Sequence, residues 1–352
     1  IPKNGPEDAL PPTMRMRLAD DLHVRNEFFE AEVDPKTGGL RAIATRRAPI
    51  NRLSQQLVFN PDAKATMRVS SIKTTSVGPA LGEVISEGAI VGEQQQVLAR
   101  YRQRLRAWLG RPVLEMRIEL FPEQPAAGDP WHAFYGCRFA WGDERTAMLR
   151  GVNGTGYMTG HNRPQTPDFI ELRAHQLNTV LFPCGLPFLQ RYGGRMLDLI
   201  LLPQGESVQT YDIAIGLDRP HPMLTAQGLT TPVSMIETVK GPPHIGSSGW
   251  LYHLDTPNLL LTSMRPGGAE SSSQSIPSNN GEAPDLHNAM TVRVMEISLQ
   301  SGVAEFRCVR NPKHAVLLDA RGERLLETTV DNDSCHLEVT PGDFNQLQIE
   351  FD

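Results

Sequence analysis

The stretch Asn26-Glu27-Phe28-Phe29-Glu30-Ala31-Glu32-Val33-Asp34-Pro35-Lys36-Thr37-Gly38-Gly39-Leu40-Arg41-Ala42-Ile43-Ala44-Thr45 decides the fold class. Residues 26–33 and 40–45 each read as a strand with one apolar face. The six residues between them are turn formers that end in two glycines, and glycine tolerates the positive φ of a tight turn. This stretch predicts a β-hairpin.

The same short alternating runs continue along the chain, separated by Gly, Pro, Asn and Asp, and helical patterns are scarce. They predict an all-β protein with a large antiparallel β domain followed by a smaller terminal β-sandwich. The expected organisation is a flexible leader at 1–20, the large domain at 21–265, a Gly/Ser/Pro-rich linker or loop at 266–285, and the small sandwich at 286–352. Further strands are predicted at 134–141, 169–176, 179–182, 195–202, 208–215, 290–298, 305–310, 315–319, 336–340 and 347–351.

Residues 94–109 fit both a helical and an alternating pattern, and we favour a strand because four arginines alternate within it. If Gly110-Arg111 forms a two-residue turn, Arg106 lies opposite Glu115 and Arg102 opposite Glu119. The same register places Arg104 opposite Arg117. An anion site is one interpretation of these arginines, and a solvated face balanced by the glutamates is the favoured one.

Composition excludes several function classes. The 352 residues carry a formal net charge of -6 and no basic stripe, so nucleic acid is not an expected partner. The most apolar passage, 179–189, is interrupted by Pro183, Gly185 and Pro187 and is too short to cross a bilayer, so no membrane span is expected. The chain opens at Ile1 with no apolar signal region, which favours the cytoplasm and suggests a piece of a longer polypeptide. The sequence leaves the oligomeric state open, and a homo-oligomer remains an option.

The four cysteines have no CxxC spacing, so neither a zinc site nor a redox pair is expected in this chain. Buried free thiols are the favoured interpretation, with a Cys308–Cys335 pair across neighbouring strands left open. Sequence motifs of zinc proteases, α/β-hydrolases, P-loop proteins and dinucleotide-binding proteins are also absent. We therefore predict no catalytic residue in this chain.

The most informative passage for function is 184–198, where Arg191, Arg195 and Asp198 lie among apolar residues. Asp198 interrupts the run Met196-Leu197-Asp198-Leu199-Ile200-Leu201-Leu202 and should be buried, so its charge needs a partner. Arg191 and Arg195 are candidates, and Arg138 is another. Two roles remain open: an internal Arg–Asp clamp between strands, or direct contact with a substrate such as a sugar.

A second candidate passage, 154–167, is rich in Gly and Pro and holds His161, so it should be a surface loop of the kind that carries ligand contacts. His161 is a possible hydrogen-bond donor or general acid, with a solvent-exposed loop histidine as the alternative. The aromatic residues that could stack on a sugar ring are Trp131, Tyr135, Trp141 and Tyr192, although core packing is the commoner role of such residues.

The hairpin stretch, with Asn51-Arg52-Leu53-Ser54-Gln55-Gln56-Leu57, resembles the post-catalytic β domain of glycoside hydrolase family 38 α-mannosidases. Further segments resemble the same family in the same order, over residues 20–235. These segments are Asp129-Pro130-Trp131, Cys137-Arg138-Phe139-Ala140-Trp141, Gly185-Leu186-Pro187-Phe188, Arg195-Met196-Leu197-Asp198 and Gly205-Glu206. The resemblance implies a galactose-mutarotase-like supersandwich followed by a smaller sandwich.

The resemblance also implies a division of labour. In such enzymes a separate N-terminal α/β barrel carries the zinc ligands and the aspartate nucleophile, so zinc is expected only in that missing catalytic domain of the same polypeptide. The β domain closes one wall of the site. Relatives tend to carry a basic pair, often with histidine, where this chain has Leu189-Gln190 before Arg191, and that difference should weaken sugar binding at the wall.

The leading functional hypothesis is therefore a carbohydrate-facing, non-catalytic portion of a glycoside hydrolase that acts on α-mannosides or related sugars, inactive as an isolated chain. Arg191, Arg195, Asp198 and His161 are its candidate substrate contacts. One alternative is a mutarotase-like aldose epimerase that pairs His161 or His175 with Glu171 or Asp198. Another is a carbohydrate-binding or interaction module without catalysis.

Overall fold

The computed structural model describes residues 17–231, 235, 237, 249–267 and 288–351. These residues form two compact units. One unit runs to Val152 and resumes from Tyr157 to Pro222, whereas the other holds Asn153–Gly156 and the described residues from Met223 onward. Each unit is built from antiparallel sheets, as the short alternating runs predict.

Strands dominate the described residues, and the single helix among them is α1 (Pro222–Thr230). The strands up to residue 122 are β1 (His23–Arg25), β2 (Phe29–Val33), β3 (Leu40–Thr45), β4 (Ser54–Phe59), β5 (Thr66–Val77), β6 (Leu81–Val91), β7 (Val97–Trp108) and β8 (Val113–Pro122). Those up to residue 217 are β9 (Phe134–Ala140), β10 (Ala147–Val152), β11 (Thr155–Met158), β12 (Ile170–Ala174), β13 (Leu177–Phe182), β14 (Leu189–Tyr192), β15 (Met196–Pro203) and β16 (Thr210–Leu217). The remaining ones are β17 (Tyr252–Leu254), β18 (Leu259–Pro266), β19 (Ala289–Glu296), β20 (Gly302–Cys308), β21 (Pro312–Leu318), β22 (Arg324–Glu327), β23 (Val330–Asp331), β24 (Ser334–Val339) and β25 (Phe344–Phe351).

Two large sheets form the supersandwich. The seven-stranded sheet has the order β1-β2-β3-β4-β9-β15-β14, and the nine-stranded sheet has the order β11-β10-β12-β13-β16-β8-β7-β6-β5. Both sheets contribute to one apolar core, with Cys137, Phe139 and Leu199 from the first sheet and Leu105 and Met116 from the second. Because side chains alternate along each strand, the opposite face of the seven-stranded sheet is free to carry polar groups.

The predicted hairpin is formed by β2 and β3. The Asp34 carboxylate accepts the backbone N–H groups of Lys36 (2.7 Å) and Thr37 (3.0 Å), and Gly38 adopts a φ of 72°. The first strand begins at Phe29 instead of residue 26, because the Asn26 side-chain oxygen accepts the N–H of Phe29 in a local turn.

The predicted register of β7 and β8 is confirmed: Arg106 lies opposite Glu115, Arg102 opposite Glu119 and Arg104 opposite Arg117. The ion pairs, however, form mostly with the other neighbouring strand. Arg106 contacts Glu83 of β6 at 2.6 Å, and Arg102 approaches Glu87 of β6 at 3.5 Å. The strand β7 has two neighbours in the sheet, and the turn at Gly110-Arg111 fixes its register only with β8. The ion pairs with β6 were therefore not predictable from this turn.

The second unit contains a four-stranded sheet, β17-β20-β24-β23, and a five-stranded sheet, β18-β19-β25-β21-β22. Phe306, Cys335 and Leu337 from the first sheet and Val292 and Leu347 from the second belong to one buried core. This is the small terminal β-sandwich that the sequence predicts.

The boundary between the units differs from the expected one. The division falls at residue 222 and not at 265, because β17 pairs with β20 and β18 pairs with β19. Within the expected leader, residues 1–16 lie outside the described residues, whereas Leu18 and Ala19 are fully buried. Most of the expected linker, 268–285, also lies outside the described residues.

All four cysteines are described, and all four thiols are free. Cys308 and Cys335 lie on the neighbouring strands β20 and β24, where Cys335 faces Phe306 and not Cys308. Burial raises the pKa of Cys308 to about 11 and that of Cys335 to about 12, so both thiols stay protonated at neutral pH.

Glu296 lies fully buried at the end of β19 and anchors two loops of the small sandwich. Its carboxylate accepts the backbone N–H groups of Ser298 and Leu299, each at 2.7 Å, and that of Gly342 at 2.9 Å. Burial by itself would raise the pKa of Glu296, but these hydrogen bonds outweigh it and hold the pKa below its usual value.

We expect Glu296→Gln to destabilise the protein by about 2 kcal/mol at neutral pH, because an amide cannot satisfy several N–H donors as a carboxylate does. Since the folded pKa is lowered, the contribution is complete above the unfolded pKa of about 4.3 and is lost as the pH falls through the lower folded value. Urea unfolding at several pH values measures both effects. The exposed Glu327→Gln is the control, and equal losses in the two variants would contradict the role of Glu296.

Candidate functional site

Asp198 forms an internal clamp with Arg138. The Asp198 side chain has no exposed surface, and Arg138 lies directly opposite it on β9. The Arg138 Nε and Nη2 atoms donate to the two Asp198 oxygens at 2.6 and 2.7 Å. This is a bidentate pair, which satisfies both carboxylate oxygens and offsets the cost of burying the charge. The clamp role left open by the sequence is therefore occupied by Arg138, and not by Arg191 or Arg195.

Arg138 also connects two other parts of the first unit. Its Nη2 donates to the carbonyl oxygen of Pro61 at 3.1 Å, and its guanidinium lies 4.2 Å from the centre of the Tyr192 ring. The Tyr192 hydroxyl donates to Asp62 at 3.2 Å. Burial alone would lower the pKa of Arg138, but the hydrogen bonds and charge of Asp198 raise it above its ordinary value. Arg138 is therefore a permanent cation that joins β9, β14, β15 and the loop after β4.

Residues 162–166 run beside β14 and extend the edge of the seven-stranded sheet. The Arg191 N–H donates to the Asn162 carbonyl at 2.7 Å, and the Thr166 N–H donates to the Pro187 carbonyl at 3.0 Å. Gln165 and Phe188 form an antiparallel bridge in the same register. Continuing this register places Arg163 opposite Gln190 and His161 opposite Tyr192.

These strands share a polar face on the side away from the core, which we call the outer face. Since side chains two residues apart on a strand lie on one face, the outer face is set by the register of β4, β9, β15 and β14. Its polar and aromatic members in these strands and immediately before β14 are Gln56, Arg138, Phe188, Gln190, Tyr192 and Asp198, and the same registers also place Ser54, Val58, Gly136, Ala140, Met196 and Ile200 on this face. The neighbours on the opposite side, such as Leu57, Cys137 and Leu199, belong to the core.

An aromatic cluster lies at the β14 end of the outer face, and we call it the aromatic shelf: Trp131, Phe188, Arg163 and His132. The Trp131 and Phe188 rings meet edge to face with their centres 5.9 Å apart. The Arg163 guanidinium lies 4.8 Å from the centre of the Trp131 ring, and its Nη2 approaches His132 Nε2 at 3.4 Å. His132 in turn lies 3.7 Å from Asp129.

Of the four predicted contact residues, three lie near this edge of the sheet and one lies inside the sheet. Arg191 is half-buried and donates to the Gly194 carbonyl at 3.2 Å. Arg195 is exposed, donates to the Gly142 carbonyl at 3.2 Å and lies 3.7 Å from Glu144. His161 is exposed in the segment beside β14. Asp198 differs from these three because it is enclosed within the clamp.

Of the four aromatic residues considered for stacking, Tyr135 and Trp141 are core residues, with 0% and 8% of their surfaces exposed. Trp131 and Tyr192 are half-buried at the surface. Sequence reasoning missed Phe188 and His132 as members of this site, and it placed Arg163 only within the candidate ligand loop 154–167, without a contact. The alternation of Phe188, Gln190 and Tyr192 in the sequence could have placed Phe188 on this face. No pattern in the neighbouring residues predicts that 162–166 runs beside β14.

The acid–base pairs of the epimerase alternative do not meet as hydrogen-bonded pairs. Glu171 is buried and bound by Arg173 at 2.7 and 3.0 Å. His175 lies exposed in the turn after β12 with a φ of 56° and approaches Asp143 at 3.6 Å. Glu171 and Asp198 are both buried and both hydrogen-bonded to an arginine.

No group of three His, Cys, Asp or Glu side chains within the described ranges is arranged to hold a metal ion. The described part of the chain also has no helix of sufficient length and hydrophobicity to span a membrane.

We expect Arg138→Ala to destabilise the protein by about 3–5 kcal/mol, because it leaves the buried Asp198 carboxylate without its partner. Arg117→Ala is the matched control: Arg117 makes a similar bidentate pair with Asp212 at 2.7 and 2.8 Å, but both side chains are exposed. Its loss should be below about 1 kcal/mol. Urea unfolding of both variants measures the loss in the free energy of unfolding. Similar losses in the two variants would show that the buried Arg138–Asp198 pair stabilises the protein no more than the exposed Arg117–Asp212 pair.

No protein-family model and no curated protein matches this sequence. Among solved structures, the fold is similar to an α-mannosidase from Enterococcus faecalis V583, with a TM-score of 0.69, 10% identity, and coverage of 95% of this chain and 43% of that chain. It is also similar to a protein in glycosyl hydrolase family 38 from Enterococcus faecalis, with a TM-score of 0.66, 10% identity, and coverage of 95% and 44%.

This likeness concerns the fold. The chain spans less than half of the length of either α-mannosidase-related chain. A galactose mutarotase related enzyme from Lactobacillus acidophilus covers 57% of this chain at a TM-score of 0.33 and 6% identity, which is too distant to support an argument. The resemblance predicted from the sequence is confirmed at the level of structure: over nearly its whole length, the chain has the β architecture of glycosyl hydrolase family 38 α-mannosidase structures.

Proposed function

We propose that this chain is the carbohydrate-facing, non-catalytic β portion of a glycoside hydrolase that acts on α-mannosides or related sugars. The observation that carries the proposal is the outer face of the seven-stranded sheet. It combines polar and aromatic side chains, and the Arg138–Asp198 clamp fixes their positions. The fold similarity to α-mannosidase structures supplies the class of sugar.

A division of labour within a longer polypeptide follows from this proposal. Retaining glycoside hydrolysis needs two carboxyl groups about 5–5.5 Å apart across the scissile bond, one as nucleophile and one as acid. On the outer face, Asp198 has no exposed surface and both of its oxygens are bound to Arg138, which supports a structural role for this carboxylate and not that of a nucleophile. The nucleophile and the zinc ligands would then lie in another domain, and the parent enzyme would act in mannoside breakdown.

In this proposal the chain contributes a wall to the sugar site. His161 lies opposite Tyr192 in the register of 162–166 beside β14 and therefore on the outer face, where it can donate a hydrogen bond to a sugar hydroxyl group. Arg191 alternates with Gln190 and Tyr192, so it lies on the other side of β14 and would contact the sugar from the rim of the sheet, as would the exposed Arg195. Asp198 has a positioning role, since it holds Arg138 and through it Tyr192. A carbohydrate-binding module without a catalytic partner would use the same face, so binding and turnover need separate tests.

The first test is turnover. We expect the purified chain, supplied with zinc, to release no nitrophenol from a nitrophenyl α-mannoside above the buffer rate, because Asp198, the carboxylate of the outer face, is fully buried and paired with Arg138. Absorbance of the released nitrophenolate measures this directly. Clear zinc-dependent turnover by the chain alone would overturn the non-catalytic assignment.

The second test is binding at the wall. We expect Arg191→Ala and His161→Ala each to weaken the binding of α-linked mannobiose by about threefold to tenfold, as is typical for loss of one or two hydrogen bonds. Calorimetric titration gives the dissociation constants. The control is Arg100→Ala, an exposed arginine of the nine-stranded sheet. Unchanged affinity in both variants, or an equal loss in the control, would place the sugar elsewhere.

A further inference from the structure

We infer that the aromatic shelf is the stacking surface for a neutral pyranose ring, an inference that rests on the proposed carbohydrate-facing function. The shelf was not among the contacts predicted from the sequence, apart from Trp131. It lies on the outer face, immediately before β14, and Arg163 joins it to the segment that runs beside this strand.

The first reason is that the shelf leaves aromatic side chains exposed to solvent, although the core lies on the other side of the same strand. Phe188 is 46% exposed, whereas Leu189, the next residue, is 1% exposed and belongs to the core. Trp131 comes from the loop before β9 and meets Phe188 from a different part of the chain. Two aromatic rings from separate segments thus form one surface patch instead of joining the core.

The second reason is that the shelf is held in place before any ligand arrives. The Asp129 carboxylate accepts the Trp131 N–H at 3.2 Å, and the Asp129 carbonyl accepts the N–H of His132 at 2.9 Å. On the other side, the Phe188 carbonyl accepts the Ile200 N–H at 3.0 Å. These hydrogen bonds hold the backbone on both sides, and the contacts of the Trp131 ring with Phe188 and Arg163 restrict the side chains, so less entropy is lost when a ligand binds.

The third reason is the chemistry at the rim of the rings. A pyranose presents C–H groups on its faces and hydroxyl groups around its edge. An aromatic surface suits the C–H groups, and the guanidinium of Arg163 with the imidazole of His132 can bind hydroxyl groups. Within the described part of the chain, Arg163 makes no ion pair with a carboxylate, so its remaining N–H groups are available. This combination fits a sugar ring better than a purely apolar partner.

The test compares variants of the shelf with a matched surface aromatic. We expect Phe188→Ala and Trp131→Ala to weaken the binding of α-linked mannobiose by about threefold to tenfold in calorimetric or ligand-observed NMR titration. Phe188→Tyr should retain near-normal affinity, because the aromatic surface remains. Phe121→Ala, which removes a ring of the same 46% exposure from β8, should have no effect. Thermal unfolding of each variant separates lost binding from lost folding.

The ligand series tests the stacking itself. Sorbitol has the hydroxyl groups of a sugar without its ring, so it should not compete with mannobiose. If mannobiose binds and the Phe188 and Trp131 variants match the Phe121 control, the shelf assignment is wrong while the proposed function stands. If the intact chain binds neither mannobiose nor α-methyl mannoside, both the shelf assignment and the proposed function are wrong.

Discussion

The two hydrogen bonds between Arg138 and Asp198 are the interaction on which the outer face depends. Asp198 is fully buried inside β15, where an unpaired carboxylate would be costly. Arg138 satisfies both of its oxygens and then reaches Pro61 and Tyr192. One ion pair therefore joins the central strands β9 and β15, the edge strand β14 and the loop after β4. Because it neutralises the buried charge of Asp198, the sheet can carry this carboxylate without a loss of packing.

Because Asp198 is enclosed in this pair, we expect ligand contacts at the edge of the sheet, beside β14, and not at its centre. The charges in the centre neutralise each other, and Asp198 holds the Arg138 guanidinium in place. At the edge, the segment 162–166 follows β14 and brings Arg163 to Trp131, whose ring meets that of Phe188. His161 and Arg163 are exposed at this edge, Arg195 is exposed in the turn between β14 and β15, and Arg191 is half-buried on the other side of β14.

Local chemistry made much of the fold predictable from the sequence. The turn at 34–39 predicted the β2–β3 hairpin, and Gly110-Arg111 predicted the register of β7 and β8. Contacts between distant segments were harder to predict. The arginines of β7 pair with β6, and Asp198 pairs with Arg138, sixty residues away, although Arg191 and Arg195 are nearer in sequence. The shelf escaped prediction because its members come from three segments. The boundary at residue 222 depends on pairing of β17 and β18 with later strands, which periodicity does not reveal.

The central claim is that sugar binds at the outer face, beside β14. Amide hydrogen exchange followed by mass spectrometry, with and without saturating α-linked mannobiose, tests it most directly because it locates the bound ligand along the chain. Our account predicts slower exchange in peptides covering 128–133, 159–168 and 186–192, with no change in β5 to β8 of the nine-stranded sheet. Protection confined to the nine-stranded sheet or the small sandwich, or none at a concentration where titration shows binding, would contradict it.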